Sequence, residues 1–420
     1  MIRNLARSTI IKHAVMITED SHLSEGWILI EDDRIRLAGF GDLSAELENS
    51  LPTACTKDSV TIIDAHGQFV FPGFIDLHTH GAGGSDFMDG TLIAWKTVAR
   101  THARFGTTAL LATTLASTSA DLNKTFNVWK QWQENTADHL DETADGASIL
   151  GLHLEGPYFA MNQRGAQDPR YIHPPDPDEY LPVMTRHPEV IRWTVAPELS
   201  GMETFSQHAN AHGILLSMGH TDALYEDTIK AIGMGFCLVT HLYSCMSGVT
   251  RKAALRHGGL IETSLIRDDL TVEVIADGRH LPLELLELIW RCKGRDRIVL
   301  TTDSMRAAGQ DVDESILGSL ENGQRVIIRD QVAKLPDETA MAGSIATADR
   351  LLRTMIQVPG VSLADAVYML TRTPARLLGL ADQKGAIASG YDADLVFMDQ
   401  SYQVKRTLVG GKTVYHADDA

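Results

Sequence analysis

The stretch FPGFIDLHTH, residues 71–80, decides the fold, because it reads as a buried strand that ends in two histidines. Similar apolar runs recur along the chain and alternate with stretches of helical character. They are TTALLATTLA (107–116), ASILGLHLEG (147–156), IRWTVAPE (191–198), ILLSMGH (214–220), CLVTHLY (237–243), LTVEVIADG (270–278) and RIVLTTDS (297–304). Near-continuous apolar character is typical of strands that are buried on both faces. Eight such strands alternating with helices predict a (β/α)8 barrel.

The two ends of the chain have a different pattern. GWILIEDDRIRLAGF (26–40) contains two apolar runs around a polar turn, and VKRTLVGGKTVYH (404–416) contains two around a Gly-Gly pair. Both patterns predict β-hairpins. We therefore expect an α/β protein with a (β/α)8 TIM-like barrel over residues 69–383. A small β-sandwich domain would be formed by both chain ends, residues 1–68 and 384–420.

The composition limits the classes of function. The chain of 420 residues has 37 Lys and Arg against 55 Asp and Glu, a formal net charge of −18. This acidity argues against nucleic acid or an anionic membrane surface as a partner, because both would repel the chain. No apolar run reaches the roughly 18 residues of a membrane span, and the first residues lack a signal-peptide core. The four cysteines show no CxxC spacing, which argues against a disulfide framework or a structural zinc cluster. We expect a cytoplasmic protein.

Side chains that can bind a metal stand at the C-terminal ends of the predicted strands. They are His78, His80, Glu155, His220, His241 and Asp303. In a barrel these ends meet at one mouth, where active sites lie, and the spacing of His78 and His80 points both imidazoles the same way. A single histidine at a strand end is more often a hydrogen-bonded structural residue. Burying all of these ionisable groups together without a metal would be costly, so the pattern predicts a metal site.

The same stretches carry a family resemblance. The matching segments are PGFIDLHTHG (72–81), GLHLEGPYF (151–159), RGAQDP (164–169), SMGHTDA (217–223), THLYSCMS (240–247), ADGRH (276–280), TTDSMRAAG (301–309), MAGSI (341–345) and KGAIASGYDADLVF (384–397). They resemble the amidohydrolase superfamily and, within it, the family of N-acetylglucosamine-6-phosphate deacetylases. HLEGP together with MGHTDA is the specific part of this resemblance, because PGFIDLHTHG alone indicates only the superfamily.

The resemblance implies a set of metal ligands. Glu155, His220 and His241 look like the ligands of a principal ion, with the glutamate in the place of the carbamylated lysine of many superfamily members. His78 and His80 look like ligands of a second ion, with Asp303 beside it. One or two divalent ions are therefore expected, and nitrogen and carboxylate ligands without thiolate suit Zn, Fe or Mn.

The resemblance also implies catalytic roles. Metal coordination lowers the pKa of a bound water and so supplies a nucleophile for the acetamide carbonyl. Asp303 would take the proton of that water and deliver it to the departing amine. His280, in the family's Asp-Gly-x-His motif, would contact the substrate and stabilise the oxyanion together with a metal. Asp277 and His153 are expected to be supporting residues.

Expected substrate contacts follow from the same comparison of motifs. Ser244 and Cys245 stand where the family usually has Asn-Ala, which holds the sugar phosphate. The usual downstream arginine corresponds to Arg251 or Lys252, and a neighbouring subunit of a homodimer could share this site. The remaining substrate contacts are expected from two loops, formed by Ala166 and Gln167 and by Met341, Ala342 and Gly343.

We expect a metal-dependent deacetylase that converts N-acetylglucosamine 6-phosphate to glucosamine 6-phosphate and acetate, in amino-sugar catabolism. Alternative substrates are N-acetylgalactosamine 6-phosphate, an unphosphorylated acetamido sugar or an N-acyl amino acid, because the Ser244-Cys245 change touches the phosphate site. A cyclic-amide hydrolase is disfavoured, since Glu155 stands where a bridging lysine is expected. A non-catalytic scaffold with this fold would typically have lost metal ligands, whereas all six positions are retained here.

Overall fold

The structure, a computed structural model, describes residues 8–17, 21–41, 60–138 and 146–419, and for residues 136–138 it describes the backbone alone. Cys55 and parts of the predicted N-terminal segment lie outside these residues. Eight parallel strands form one sheet in which each strand pairs with its neighbours in chain order. They are β1 (Phe74–Thr79), β2 (Thr107–Thr114), β3 (Ser148–Glu155), β4 (Val190–Val195), β5 (Leu215–Met218), β6 (Leu238–Val239), β7 (Thr271–Val274) and β8 (Ile298–Leu300).

Helices follow the strands and cover the outside of this sheet. They are α1 (Leu92–Arg104), α2 (Ser119–Asp138), α3 (Pro177–Arg186), α4 (Met202–Ala211), α5 (Tyr225–Gly233), α6 (Leu260–Ile266), α7 (Leu283–Lys293), α8 (Ala348–Met355), α9 (Leu363–Leu370) and α10 (Arg372–Leu377). Helix α1 shows the local logic: Thr91 caps its first turn by accepting a hydrogen bond from the Ala94 amide. Its buried face includes Trp95 and Val98.

The barrel closes between its first and last strands. The Asp303 amide donates to the His78 carbonyl at 2.9 Å, and the His80 amide donates to the Ser304 carbonyl at 2.8 Å. The buried carboxylate of Asp76 accepts hydrogen bonds from the hydroxyls of Thr301 and Thr302. Because these bonds join β1 to the segment after β8, they bring the two ends of the barrel sheet to the same mouth.

The two ends of the chain meet in a second sheet, of mixed direction. Its strands are Ser8–Ile17, Leu23–Glu31, Arg34–Phe40, Val60–Asp64, Phe69–Pro72, Leu395–Met398, Val404–Val409 and Lys412–His416. Both predicted hairpins are present as antiparallel pairs. The predicted fold, a (β/α)8 barrel with a small β-domain built from both chain ends, is confirmed. The domain boundaries at residues 68 and 383 stay predictions.

A small sheet inserted after β8 lies beside the barrel mouth. Its antiparallel strands are Glu314–Leu317, Gln324–Arg329 and Val332–Lys334. Leu317 and Val326 of this insertion pack with Ala166 and Ala342 in one apolar cluster. The insertion therefore supports two loops that reach the mouth.

Among the helices of the described residues, none has the length and apolar character that crossing a membrane requires.

A partly buried lysine stabilises the terminal sheet and offers a test of its stability. Lys384 Nζ lies 2.6 Å from carboxylate oxygens of both Asp392 and Asp394. Lys384→Met leaves the Asp394 carboxylate without its cation, whereas Asp392 keeps its ion pair with Arg34, so we expect the free energy of unfolding to fall by about 2 kcal/mol. Urea denaturation would measure this loss. The matched variant Lys405→Met, at the more exposed pair with Asp399, should lose at most about 1 kcal/mol, and equal losses would contradict the interpretation.

Candidate metal centre

The structure brings together the six side chains that were predicted to bind metal. His78, His80 and Glu155 lie at the ends of β1 and β3, whereas His220, His241 and Asp303 follow β5, β6 and β8. All six are buried, with Asp303 the most exposed at 7%. Their convergence follows from the parallel barrel, in which the C-terminal ends of all strands face one side.

Glu155 lies at the centre of this group. Its Oε1 is 3.3 Å from His220 Nε2 and 3.1 Å from His241 Nε2, and these two nitrogens are 3.2 Å apart. On the other side, His78 Nε2 is 3.4 Å from Oε1 and His80 Nε2 is 3.5 Å from Oε2. One carboxylate therefore lies between two histidine pairs, as a residue that bridges two ions would.

Asp303 faces the His78 and His80 pair. Its Oδ1 lies 3.4 Å from His78 Nε2 and 3.2 Å from His80 Nε2. The two Nε2 atoms are themselves 3.2 Å apart. Asp303 also contributes to the surface of the cavity at the mouth, so its carboxylate can reach both the histidine pair and a bound molecule.

Three of these residues adopt a left-handed backbone conformation. His220, His241 and Asp303 have φ values of 51°, 30° and 46°. Residues other than glycine seldom adopt this region, and such strain persists where surrounding contacts hold it. Here the sharp turn after each short strand redirects a side chain toward the centre of the barrel mouth.

The charges of the centre depend on one another. Burial opposes ionisation of Glu155, yet the adjacent His78, His220 and His241 hold the pKa of its carboxyl well below its ordinary value. Burial likewise opposes protonation of His80, but Asp303 and Glu155 raise the pKa of His80 to about 9. The two carboxylates therefore stay ionised and attract positive charge to this point.

The donor atoms fit a divalent metal. His78, His80 and Glu155 form one group of potential ligand atoms that lie within 4.8 Å of one another, and Glu155, His220 and His241 form a second. His220 Nδ1 is 2.8 Å from the Gln163 carbonyl, to which it can only donate, so Nε2, on the side of Glu155, is the nitrogen available as a metal ligand. Imidazole nitrogens with carboxylate oxygens suit Zn, Fe or Mn.

A cavity of about 380 Å³ opens above these residues. Its lining includes most of the residues predicted to bind substrate or metal, namely His80, Glu155, Ala166, Gln167, His220, His241, Ser244, Cys245, His280, Asp303, Met341 and Gly343. His78 lies beneath the cavity with no exposed surface, and Ala342 is buried in the apolar cluster of the inserted sheet. Ser244 and Cys245 bring a hydroxyl and a thiol to the wall.

Gln167 contacts the metal centre as well as the cavity. Its side-chain amide donates to Glu155 Oε2 at 2.7 Å, and its carbonyl oxygen accepts from the Ala116 amide at 2.9 Å. The residue expected to contact substrate thus also fixes the orientation of the central carboxylate.

Cys245 lies beside His220, and although burial opposes ionisation, that histidine lowers the pKa of the Cys245 thiol.

His280 is held at the cavity wall by the motif in which it lies. Its Nδ1 is 2.9 Å from Asp277 Oδ2, and its backbone amide donates to Asp277 Oδ1 at 2.8 Å. This arrangement leaves Nε2 of His280 for a bound molecule. The ring nitrogens of His153 contact the hydroxyls of Thr194 and Thr113, and its supporting role stays a prediction.

The basic candidates for a phosphate contact stand apart from this cavity. Arg251 and Lys252 are exposed on a hairpin of strands Thr250–Lys252 and Leu255–His257. Within the described part of the chain, the cavity lining includes no lysine or arginine. The structure therefore does not bring these two residues to the metal centre within one subunit.

Some residues around the centre were not predicted from sequence. Gln163 and Tyr243 line the cavity, and Arg192 and Glu273 form an ion pair inside the barrel below it. The last two carried a signal, because each is a charged residue within a short apolar strand, IRWTV or TVEV. The cavity contacts carried none, since they depend on how loops from different strands fold toward one another.

The chain is similar to known proteins over most of its length. The chain matches the Amidohydrolase family over residues 69–414. It is 31% identical to an N-acetylglucosamine-6-phosphate deacetylase of Bacillus subtilis (strain 168), over 99% of each chain. It is also 27% identical to an N-acetylgalactosamine-6-phosphate deacetylase of Escherichia coli O157:H7, over 92% of this chain and 96% of that one.

A solved structure extends the similarity to three dimensions. A mutant of N-acetyl-D-glucosamine-6-phosphate deacetylase from Mycobacterium smegmatis, in complex with N-acetyl-D-glucosamine-6-phosphate, matches with a TM-score of 0.82 at 27% identity. The match covers 97% of this chain and 99% of that one. Because the family match covers residues 69–414 and the structure has the barrel with its histidine and carboxylate cluster, the chain belongs to the amidohydrolase family.

Proposed function

We propose that the chain is a metal-dependent deacetylase that hydrolyses the acetamide of N-acetylglucosamine 6-phosphate, releasing acetate and glucosamine 6-phosphate in amino-sugar catabolism. The observation that carries this proposal is the position of Glu155 between two histidine pairs, with Asp303 beside one pair, at the floor of a cavity. The relatives named above that share nearly the whole chain are named for the same type of reaction.

The residues at the floor of the cavity divide into two candidate ligand sets. Glu155, His220 and His241 would hold one divalent ion, and His78, His80, Glu155 and Asp303 would hold a second. We propose Zn, Fe or Mn as the metal. When bound, such an ion polarises a carbonyl oxygen and lowers the pKa of a coordinated water, which is the chemistry that supplies a nucleophile for amide hydrolysis.

Asp303 and His280 complete the reaction. Asp303 lies at the cavity surface, so its carboxylate accepts a proton from the attacking water and donates it to the amine nitrogen as the C–N bond breaks. His280, oriented by Asp277 through Nδ1, donates from Nε2 to the carbonyl oxygen as negative charge develops there. Gln167 keeps the Glu155 carboxylate in place during these steps.

The sugar occupies the cavity between two walls. Ser244, Cys245, Ala166 and Met341 all contribute to these walls. We propose that the phosphate extends toward the hairpin of Arg251 and Lys252 of a neighbouring subunit in a homodimer. A cytoplasmic location is part of this proposal, since amino-sugar phosphates are intracellular metabolites.

A second candidate substrate is N-acetylgalactosamine 6-phosphate. A relative named for that activity is 27% identical over 92% of this chain. The two sugars differ only at one hydroxyl, so the same catalytic groups would serve both. The Ser244-Cys245 pair at the cavity wall is where such a difference in specificity could arise.

Removal of the central carboxylate tests the metal centre. Glu155→Ala deletes the group shared by both candidate ligand sets, so we expect the purified protein to lose the principal ion and its activity. Elemental analysis after dialysis would measure the metal content per chain. The control Glu203→Ala changes an exposed carboxylate on α4 and should retain the wild-type metal content. Full metal content in Glu155→Ala would disprove the assignment.

The proton-transfer role of Asp303 has a different signature. Asp303→Asn keeps an oxygen near the histidine pair but cannot exchange a proton at neutral pH, so we expect kcat to fall by about 10²- to 10⁴-fold. Most of the bound metal should remain, as elemental analysis would check. Asp349→Asn, at a buried carboxylate on α8 that pairs with Arg353, should leave kcat unchanged. A kcat within a few fold of wild type in Asp303→Asn would refute the role.

The substrate itself can be tested by acetate release. We expect kcat/KM to be highest for N-acetylglucosamine 6-phosphate, lower for its galactosamine epimer and much lower for unphosphorylated N-acetylglucosamine. Arg251→Ala and Lys252→Ala should each raise KM about tenfold for the phosphorylated sugar alone, because a charged hydrogen bond contributes about 1.5 kcal/mol. Arg291→Ala, an exposed residue of α7, is the control. Equal kcat/KM for N-acetylglucosamine 6-phosphate and unphosphorylated N-acetylglucosamine would exclude the named substrate. The proposed deacetylase reaction would remain.

A further inference from the structure

The interior of the barrel contains an ion pair directly below the metal centre. Arg192 on β4 and Glu273 on β7 are both fully buried, and Arg192 Nη1 donates to Glu273 Oε1. The guanidinium is satisfied on its other sides by the Leu77 carbonyl at 2.9 Å, Ser217 Oγ at 3.0 Å and Thr240 Oγ1 at 3.0 Å. Such a pair is not needed to fill a barrel core, where apolar residues of similar volume are often as stable.

Two buried atoms without a hydrogen bond face each other beside this pair. Glu273 Oε2 and His78 Nδ1 have no hydrogen-bond partner of good geometry, and they lie 3.5 Å apart. His78 Nε2 points the other way, toward Glu155, Asp303 and His80. The imidazole of His78 therefore stands between the buried carboxylate and the candidate metal site.

The chemistry of these groups determines which nitrogen of His78 carries the proton. Arginine stays charged in proteins, so Arg192 keeps Glu273 an ionised carboxylate that can only accept hydrogen bonds. The partner atom, Nδ1, must then carry the proton, which leaves the Nε2 lone pair directed at the metal site. A carboxylate behind a metal-ligating histidine fixes the tautomer and makes the ligand more basic.

Other contacts hold the ring in this orientation. His153 packs edge-on against His78 with the ring centroids 4.7 Å apart. Its Nε2 is 2.7 Å from Thr194 Oγ1, which lies 2.9 Å from Thr240 Oγ1, a partner of Arg192. One buried network thus surrounds His78 from below and from the side.

We infer that Glu273, with Arg192 as its counter-ion, is a positioning residue that makes the His78 and His80 side of the centre able to hold a second metal ion. This inference rests on the proposed metal-dependent function and adds to it a residue that acts from outside the candidate ligand set. The affinity for the second ion depends on the tautomer of His78, which is set by a group that touches neither the substrate nor the metal.

Glu273→Gln is the sharpest test, because it reverses the hydrogen-bond polarity at His78. The carbonyl oxygen of the new amide accepts from Arg192, so its NH2 group faces His78 Nδ1. That nitrogen must then act as an acceptor, which places the proton on Nε2 and blocks the ligand atom. We expect the affinity for the second ion to fall by about 10- to 100-fold or more, while the ion at Glu155, His220 and His241 is retained.

The measurement uses full-length protein loaded with Co²⁺ and, separately, with Zn²⁺. Elemental analysis gives the ions per chain, titration against a chelator gives the two affinities, and the visible absorption of Co²⁺ reports the ligand environment of each site. Glu189→Gln is the matched control, because Glu189 accepts from His187 Nδ1 at 2.9 Å far from the centre. Two ions in wild type and Glu189→Gln but one in Glu273→Gln is the expected result.

A second variant covers the case in which Glu273→Gln does not fold. The double variant Arg192→Met with Glu273→Met removes both charges and keeps the volume, so His78 loses its tautomer preference without an unpaired charge. We expect it to fold and to bind the second ion more weakly than wild type, by less than Glu273→Gln does.

Each remaining outcome has a defined meaning. Wild-type affinity for two ions in folded Glu273→Gln, or in the double variant, overturns the inference. A wild-type protein that holds only one ion overturns it also, even if acetate is released. Two ions in wild type with one in Glu273→Gln, but no acetate release from any acetamido sugar, would support the inference and reject the proposed substrate.

Discussion

The position of one carboxylate, Glu155, governs the arrangement of the active end of the barrel. A buried negative charge is costly unless opposite charge or hydrogen-bond donors surround it. Here imidazoles from β1 and from the segments after β5 and β6 approach it, and Gln167 donates to it from a loop. The Glu155 carboxylate therefore brings together side chains from strands that are far apart in sequence. The same carboxylate is the group that would bind a metal.

The closure of the barrel supplies the second part of this constraint. Backbone hydrogen bonds between β1 and the segment after β8 place Asp303 beside His78 and His80, and the threonine hydroxyls on Asp76 reinforce the join. A shift of one residue in this pairing would turn Asp303 away from the histidines. The proposed proton-transfer group and the candidate ligands His78 and His80 are thus positioned by the same fold-determining contact.

The cavity above Glu155 is lined by strand ends and by loops, and these two parts differ in how freely their sequences vary among barrel enzymes. The candidate metal ligands on one side of the cavity lie at strand ends, whereas its upper walls come from loops and from the inserted sheet that packs on Ala166 and Ala342. Barrel enzymes commonly vary in these loops while the strands stay constant. We therefore propose that Ser244 and Cys245, in a wall of the cavity, affect which sugar binds and not the hydrolytic groups.

The sequence by itself determined the barrel, the terminal β-domain and the set of candidate metal-binding residues, because buried strands need apolar runs and the polar residues after them stand out against that background. It could not place Arg251 and Lys252 relative to the cavity, since an exposed hairpin carries no periodic signal of where it points. Nor could it connect Glu273 with Arg192 and His78, residues that are distant along the chain. Only the tertiary structure decided those contacts, because the pairing of buried charges depends on which strands face each other across the barrel.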